Sequence, residues 1–225
     1  ALRKNLDAIA ESFAALTVRR IPKFKVGIVG EIYVKYAALG NNNLEQFLHD
    51  QGCEVMVPGL YDFIMYCMQN SLEDFRIYGG SRVKKAFFTF VVNFLDGIRN
   101  EMRRAALNHG FCAPSEFSHL LQLAGSVIDR GCKMGEGWLL PGEMMELAEL
   151  GYGNIITVQP FGCLPNHIVA KGMARTVKEH CPQANIVAID YDPGATRVNQ
   201  ENRIKLMLSI ARENLAAEEK TPAAV

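Results

Sequence analysis

Val158-Gln159-Pro160-Phe161-Gly162-Cys163-Leu164-Pro165-Asn166-His167-Ile168 reads as the end of a buried strand, a tight turn, one cysteine and the start of a helix. An open parallel sheet presents reactive side chains in this way, where the chain leaves the carboxyl edge of a strand at the lip of a crevice. Position alone leaves three readings of Cys163 open: a metal-cluster ligand, a nucleophile, or a small residue in a turn.

Working outward, Asn154 to Gln159 is a short apolar run and reads as a strand, followed by a helix over 166–179. Asn185 to Asp190 is a further strand, and Val198 to Leu215 a long last helix, with a frayed tail expected over 216–225. Upstream, Lys23 to Gly30 (KFKVGIVG) is a buried strand, and Asn41-Asn42-Asn43 suits a turn and helix cap before Leu44. Gly52 closes that helix, and Cys53 to Val57 is the second strand. Leu6, Ile9, Phe13 and Leu16 mark an N-terminal helix within 1–22.

Between about 61 and 150 the pattern turns helical. Val83, Phe87, Phe90, Val91, Phe94, Ile98 and Met102 lie near helical spacing along 81–109. The expectation is an α/β fold, a flavodoxin-like doubly wound parallel sheet of about four strands in the order 2-1-3-4, within one domain over 23–215 interrupted by a helical insertion. That order sets Gly30-Glu31 beside Phe161-Gly162-Cys163.

Of the 225 residues, 49% are hydrophobic and 21% charged, and the formal net charge is zero. This is the composition of an ordinary globular chain with no broad basic surface for nucleic acid. No apolar run approaches the roughly 20 residues that span a bilayer, and the first 21 residues carry charges where a signal peptide needs an apolar core. None of the six cysteines forms a C-x-x-C pair of the zinc or thioredoxin kind, and with no secretory signal and a long apolar core, reduced thiols and a cytoplasmic setting are expected. The chain begins at Ala1 rather than Met, which fits an excised domain.

His167 stands four residues after Cys163. A Cys/His dyad is one reading and a structural histidine the preferred one. Asn166 reads as a turn or cap residue. Glu31, just after Gly30, is either an acid/base or ligand-binding group in the crevice or a solvated carboxylate. Gly135-Glu136-Gly137-Trp138 permits close backbone approach to a ligand, or forms a plain glycine loop. Cys132, in the same loop, is a weaker ligand candidate. Gly27 to Gly30 is not a dinucleotide fingerprint and no phosphate loop is present. Gly79-Gly80-Ser81-Arg82 is an anion nest or, preferably, a flexible turn, and Asp190-Tyr191-Asp192-Pro193-Gly194 a cation site or a turn.

Five segments together resemble the C-terminal part of 2-hydroxyacyl-CoA dehydratase-like proteins, and more narrowly of acyl-CoA dehydratase activase-related proteins. They are KVGIVGEIYV (25–34), NNNLEQFLHDQGCEV (41–55), GEGWLLPGEM (135–144), QPFGCLPNHI (159–168) and IDYDPGATRVNQENRIKLML (189–208). The resemblance implies a [4Fe-4S] cluster held between two flavodoxin-like domains, with Cys163 as the ligand contributed by this one. Gly30, Glu31, Glu136, Gly162 and His167 would line the same crevice. It implies as partners an N-terminal cluster-binding domain and an ATPase activase module that this chain lacks, with an acyl-CoA as the substrate of the parent. A fragment of this kind is expected to be inactive alone and to form a homodimer through its exposed interface. The alternative is a flavodoxin-like interaction or small-ligand-binding module with no cluster and no catalysis.

Overall fold

The computed structural model describes residues 1–19 and 21–220, with side chains described as far as 213. The chain forms two compact units. One comprises Ala1–Pro22 and Gly59–Gln122, the other Lys23–Pro58 and Leu123–Val225.

The second unit holds a four-stranded, all-parallel sheet in the order β2-β1-β3-β4. Its strands are β1 (Phe24–Gly30), β2 (Cys53–Met56), β3 (Asn154–Pro160) and β4 (Asn185–Tyr191). Gly30 pairs with Val158, and β3 continues beside β4 as far as the Pro160–Tyr191 pair. Successive strand residues point to opposite faces, and two cores result. Val26, Ile28, Ile156 and Val158 pack on one face with Leu44 and Leu48 of α3 (Leu44–Asp50) and Ile204 and Leu208 of the last helix. Val29 and Ile155 pack on the other with Met144 and Leu147 of a helix over Leu139–Glu149, and with Ala170 and Val177. The helices that follow β1 and β3 thus cover opposite faces, which places the topological switch between those two strands.

The helical stretch read from the sequence over 61–150 divides at 122 in the structure. Residues 123–150 fall in the sheet unit because Leu139–Glu149 lies on β1, where Leu147 packs so closely on Gly27 that an added Cβ would meet its Cδ1 at 2.6 Å. The remaining elements are α1 (Leu2–Ala14), α2 (Ile32–Tyr36), α4 (Leu60–Tyr78), α5 (Arg82–Asn108), α6 (Phe117–Val127), α7 (the Leu139–Glu149 helix), α8 (Leu164–Asn166), α9 (Ala174–His180) and α10 (Arg197–Lys220). Residues 221–225 of the tail expected to fray lie outside the described residues.

Two local outcomes differ from the pattern reading. α1 stops at Ala14 rather than near Pro22. The helix expected over 166–179 is broken. α8 gives way to a π-turn over His167–Lys171, closed by a bond from Gly172 N to His167 O at 2.9 Å. Gly172 has no room for a side chain, since a Cβ there would come within 2.3 Å of Ile168 O. Such single π-turns re-aim the residues they carry. In the asparagine cluster, Asn41 Oδ1 accepts from Leu44 N at 3.1 Å, while Asn42 and Asn43 adopt left-handed backbone.

In the first unit, α1 lies along the carboxyl-terminal half of α5, tied by Arg3 to Glu101 and by Asp7 to Arg104, which also pairs with Glu101 within α5. The guanidiniums of Arg3 and Arg104 hold Glu101 down at about 2, from an ordinary 4.5. A carboxylate depressed in the fold contributes stability above its unfolded value and loses it as pH falls through the folded one. The contribution of Glu101 to the docking of α1 is therefore expected to weaken from about pH 4.5 downward and to be lost near pH 2. Amide exchange rates within 2–14 report this, and Glu101→Gln should lack the transition. The pair is solvent-exposed, so salt should weaken it as well.

Candidate functional site

The carboxyl ends of β1 and β3 converge as the strand order requires. Glu31 N donates to Val158 O at 2.9 Å directly after the Gly30–Val158 pair. Gly30 has φ +145°, and a Cβ on it would lie 1.9 Å from Val158 O, so the two strands can approach only over a glycine. Glu31 itself is committed to local structure. Its Oε2 accepts from Val34 N at 2.8 Å and caps α2.

Glu136 reaches this point from the loop before α7. Its Oε1 accepts from Ile32 N at 3.2 Å and its Oε2 from Asn166 Nδ2 at 2.9 Å. The side chain is buried, and the flanking glycines make the approach possible. Gly135 and Gly137 have φ +59° and +45°, and a Cβ on Gly135 would crowd Pro165. The adjacent Trp138 is fully buried and its backbone N–H closes the loop on Cys132 O at 2.8 Å.

Cys163 is half-buried at the start of α8, after Gly162 at φ +76°. Asn166 Nδ2 donates to its Sγ at 3.3 Å. One amide group therefore serves two acceptors, the Glu136 carboxylate and the Cys163 sulfur. The carboxylate fixes which way the amide is turned, because the reverse orientation would set oxygen against oxygen. Asn166 is fully buried, and its Oδ1 has no hydrogen-bond partner among the described residues. Asn166→Ala removes the donor that both acceptors share and is expected to destabilise the sheet unit by about 1–3 kcal/mol, the cost of leaving a buried acceptor unpaired. The urea midpoint read by the fluorescence of the buried Trp138 measures it, and an unchanged midpoint would contradict the role given to Asn166.

His167 faces a second polar group. Gln159 Nε2 contacts His167 Nδ1 at 3.0 Å and Asp190 Oδ1 at 2.6 Å, and Lys171 Nζ lies 3.8 Å from Asp190 Oδ2. With both Gln159 N–H bonds donated, His167 Nδ1 is an acceptor and the imidazole carries its proton on Nε2. His167 and Cys163 are joined through the backbone, by a bond from His167 N to Cys163 O at 3.0 Å. The side chain of His167 is directed instead to Gln159 and Asp190.

Gly30, Glu31, Glu136, Gly162 and Cys163 come together at one sheet edge, with His167 on its flank. Asn166 and Gln159 are the functional side chains that pattern reading misses. Asn166 has the look of a cap, although its place one helical turn after Cys163 puts it on the same side. Gln159 has the look of a strand residue with no special chemistry. The other candidates have local roles. Ser81 Oγ accepts from Lys84 N at 3.4 Å as a helix cap, and Asp192 Oδ1 accepts from Gly194 N at 2.9 Å in a turn, apart from Asp190. All six cysteines are free. Burial pushes the thiols of Cys53, Cys67 and Cys181 up, whereas Cys132 and Cys112 are exposed. Among the described residues no three His, Cys, Asp or Glu side chains are grouped to hold a metal ion, and no helix is long and apolar enough to cross a membrane.

No family model matches this chain, and neither a curated protein nor a solved structure does.

Proposed function

We propose that this chain is the C-terminal α/β domain of a 2-hydroxyacyl-CoA dehydratase-like or activase-related iron–sulfur protein, in which Cys163 is one ligand of a [4Fe-4S] cluster. The observation that supports the reading is the bond from Asn166 to Cys163 Sγ, backed by Glu136. A partly exposed cysteine sulfur with a fixed N–H donor suits a cluster ligand, since hydrogen bonds to sulfur and burial tune such centres. The described residues offer no three-ligand group, so the remaining thiolates would come from another domain or chain. When bound, the cluster would supply one-electron transfer, in the parent protein toward dehydration of a 2-hydroxyacyl-CoA by an electron delivered from an ATP-driven activase. The chain's own residues would orient the sulfur through Asn166, hold Asn166 through Glu136, and present the Nε2 proton of His167 at the rim.

Anaerobic reconstitution of the chain with ferrous iron, sulfide and glutathione tests this reading, glutathione standing in for the ligands supplied from elsewhere. The expected result is a broad visible charge-transfer band with iron and sulfide retained on gel filtration, lost in Cys163→Ala and kept in Cys132→Ala. A band that survives Cys163→Ala, or none in the unmodified chain, rejects the assignment.

The second reading, an interaction or small-ligand module without a cluster, draws on the apolar rim of the same turn. Phe161, Leu164 and Ile168 around Cys163 are all more than half exposed. It predicts that Cys163→Ala leaves every binding property of the chain unchanged.

A further inference from the structure

Behind the candidate site, three side-chain oxygens are buried without a hydrogen-bond partner among the described residues: Thr157 Oγ1, Gln159 Oε1 and Asn166 Oδ1. All three residues are 0% exposed. A buried oxygen left in this state costs free energy, and folded proteins keep few of them. Turning the amides over does not relieve it. Reversed, Gln159 would set its oxygen against Asp190 Oδ1, which lies 2.6 Å from Nε2, and Asn166 would set its own against Glu136 Oε2, 2.9 Å from Nδ2. Both amide oxygens are therefore fixed as acceptors.

Strand order tells where they lie, since β3 stands between β1 and β4. Asn166 donates toward the β1 side, to Glu136, whose other oxygen takes Ile32 N just beyond β1. Gln159 donates toward the β4 side, to Asp190. The nitrogen and oxygen of an amide diverge, so the two oxygens are turned back from opposite sides to the space over β3. Thr157 precedes Gln159 by two residues and stands on the same face of the strand. The π-turn over His167–Lys171 roofs that face, with Ala170 in the core that holds Ile155.

We propose that these three oxygens form a binding site for one enclosed water molecule, a fixed part of the protein between β3 and the π-turn. The chemistry of the set selects it. Two acceptors that face each other need a donor with two hydrogens, and the hydroxyl of Thr157 needs an acceptor. Water supplies both, giving its hydrogens to Gln159 Oε1 and Asn166 Oδ1 and accepting from Thr157 Oγ1. Three bonds are the usual number for a buried water, and a site closed to solvent on all three partners admits nothing larger. The water completes one hydrogen-bonded chain, from Cys163 Sγ through Asn166, the water and Gln159 to His167 Nδ1. The donor on the sulfur and the donor on the imidazole are thereby held in one register. The inference does not depend on the iron–sulfur reading, since it needs only the two amides, the carboxylates that orient them, and Thr157.

A crystal structure of the full chain that shows ordered water is the first test. The expected result is one water within hydrogen-bonding distance of all three oxygens. Thr157→Val is the second, because it keeps the shape of the side chain and removes the hydroxyl. With the water in place, its urea midpoint, read by Trp138 fluorescence, should fall, since the water loses one of its three bonds. A hydroxyl that was buried without a partner would leave the midpoint unchanged or raise it when removed. Thr157→Ser keeps the hydroxyl and should hold the water at the same place in its own crystal structure. Empty density between Asn166 and Gln159, a water that touches only one of the two amide oxygens, a protein donor found on either of them, or a Thr157→Val midpoint that does not fall would each overturn the proposal.

Discussion

Lys35→Met is expected to destabilise the sheet unit by about 3–5 kcal/mol, the usual cost of removing one member of a buried ion pair. Lys35 Nζ lies 3.2 and 3.3 Å from the two carboxylate oxygens of Glu143, and each side chain is 1% exposed. Removing the ammonium leaves the Glu143 carboxylate in a region that water does not reach. Lys35→Met/Glu143→Met should recover much of the loss, because two apolar groups of similar volume leave no uncompensated charge. Trp138, the one tryptophan of the chain and fully buried in this unit, reports the urea midpoint by its fluorescence. A shift of less than about 1 kcal/mol would mean that the pair is not buried as described.

The same pair predicts a pH dependence. Burial works to lower the Lys35 pKa, but the Glu143 carboxylate and the nearby Tyr36 outweigh it and leave the value above the ordinary 10.5. A group raised in the fold contributes stability that is complete below its unfolded value and disappears as pH rises through the folded one. The stability gap between the unmodified chain and Lys35→Met should therefore be constant through neutral pH and narrow only above about 10.5. The contact has a local purpose as well. It joins α2 to α7, the two elements whose leading residues meet where Glu136 accepts from Ile32 N.

Gly30→Ala is expected to cost more than about 3 kcal/mol or to prevent folding of the sheet. The added Cβ would lie 1.9 Å from Val158 O and would sit on a backbone at φ +145°. Relief requires β1 and β3 to part at the one place where the sheet ends and the site begins, breaking the bond from Glu31 N to Val158 O. Gly162→Ala separates collision from backbone strain. Gly162 has φ +76°, and a methyl group added there would meet nothing within 4 Å, so only the left-handed backbone penalty applies, about 1–2 kcal/mol. The same fluorescence midpoint ranks the two, and equal losses would show that the close approach of Gly30 to β3 is not what demands the glycine.

Much of this architecture is legible as pattern. KVGIVG and NIITVQ are apolar runs bounded by turn residues, too short for helices and too apolar for a half-exposed strand, which leaves buried parallel strands. Helices between them, with right-handed crossovers, restrict the order to few choices, of which 2-1-3-4 is the one found. The position of Cys163 at the carboxyl edge follows from that order. Division of the helical stretch at 122 is not legible, because both of its parts read simply as helix, and only the packing of α7 on Gly27 assigns that helix to the sheet.

The partners of the site side chains are out of reach for a related reason. Periodicity tells which side of an element a residue occupies, but not which of several polar groups from distant segments it meets. Asn166 and Glu136 are 30 residues apart, and Lys35 and Glu143 are 108 apart. The amino-acid sequence by itself determined the parallel α/β sheet and brought one cysteine to its carboxyl edge, since strand length, apolar runs and crossover handedness are local or topological properties. Only the tertiary structure decided that Glu31 caps a helix, that Asn166 holds the sulfur of Cys163, and that His167 turns to Gln159. These depend on hydrogen-bond geometry at distances near 3 Å, where a π-turn or a glycine with no room for a side chain redirects a group that spacing alone would have placed elsewhere.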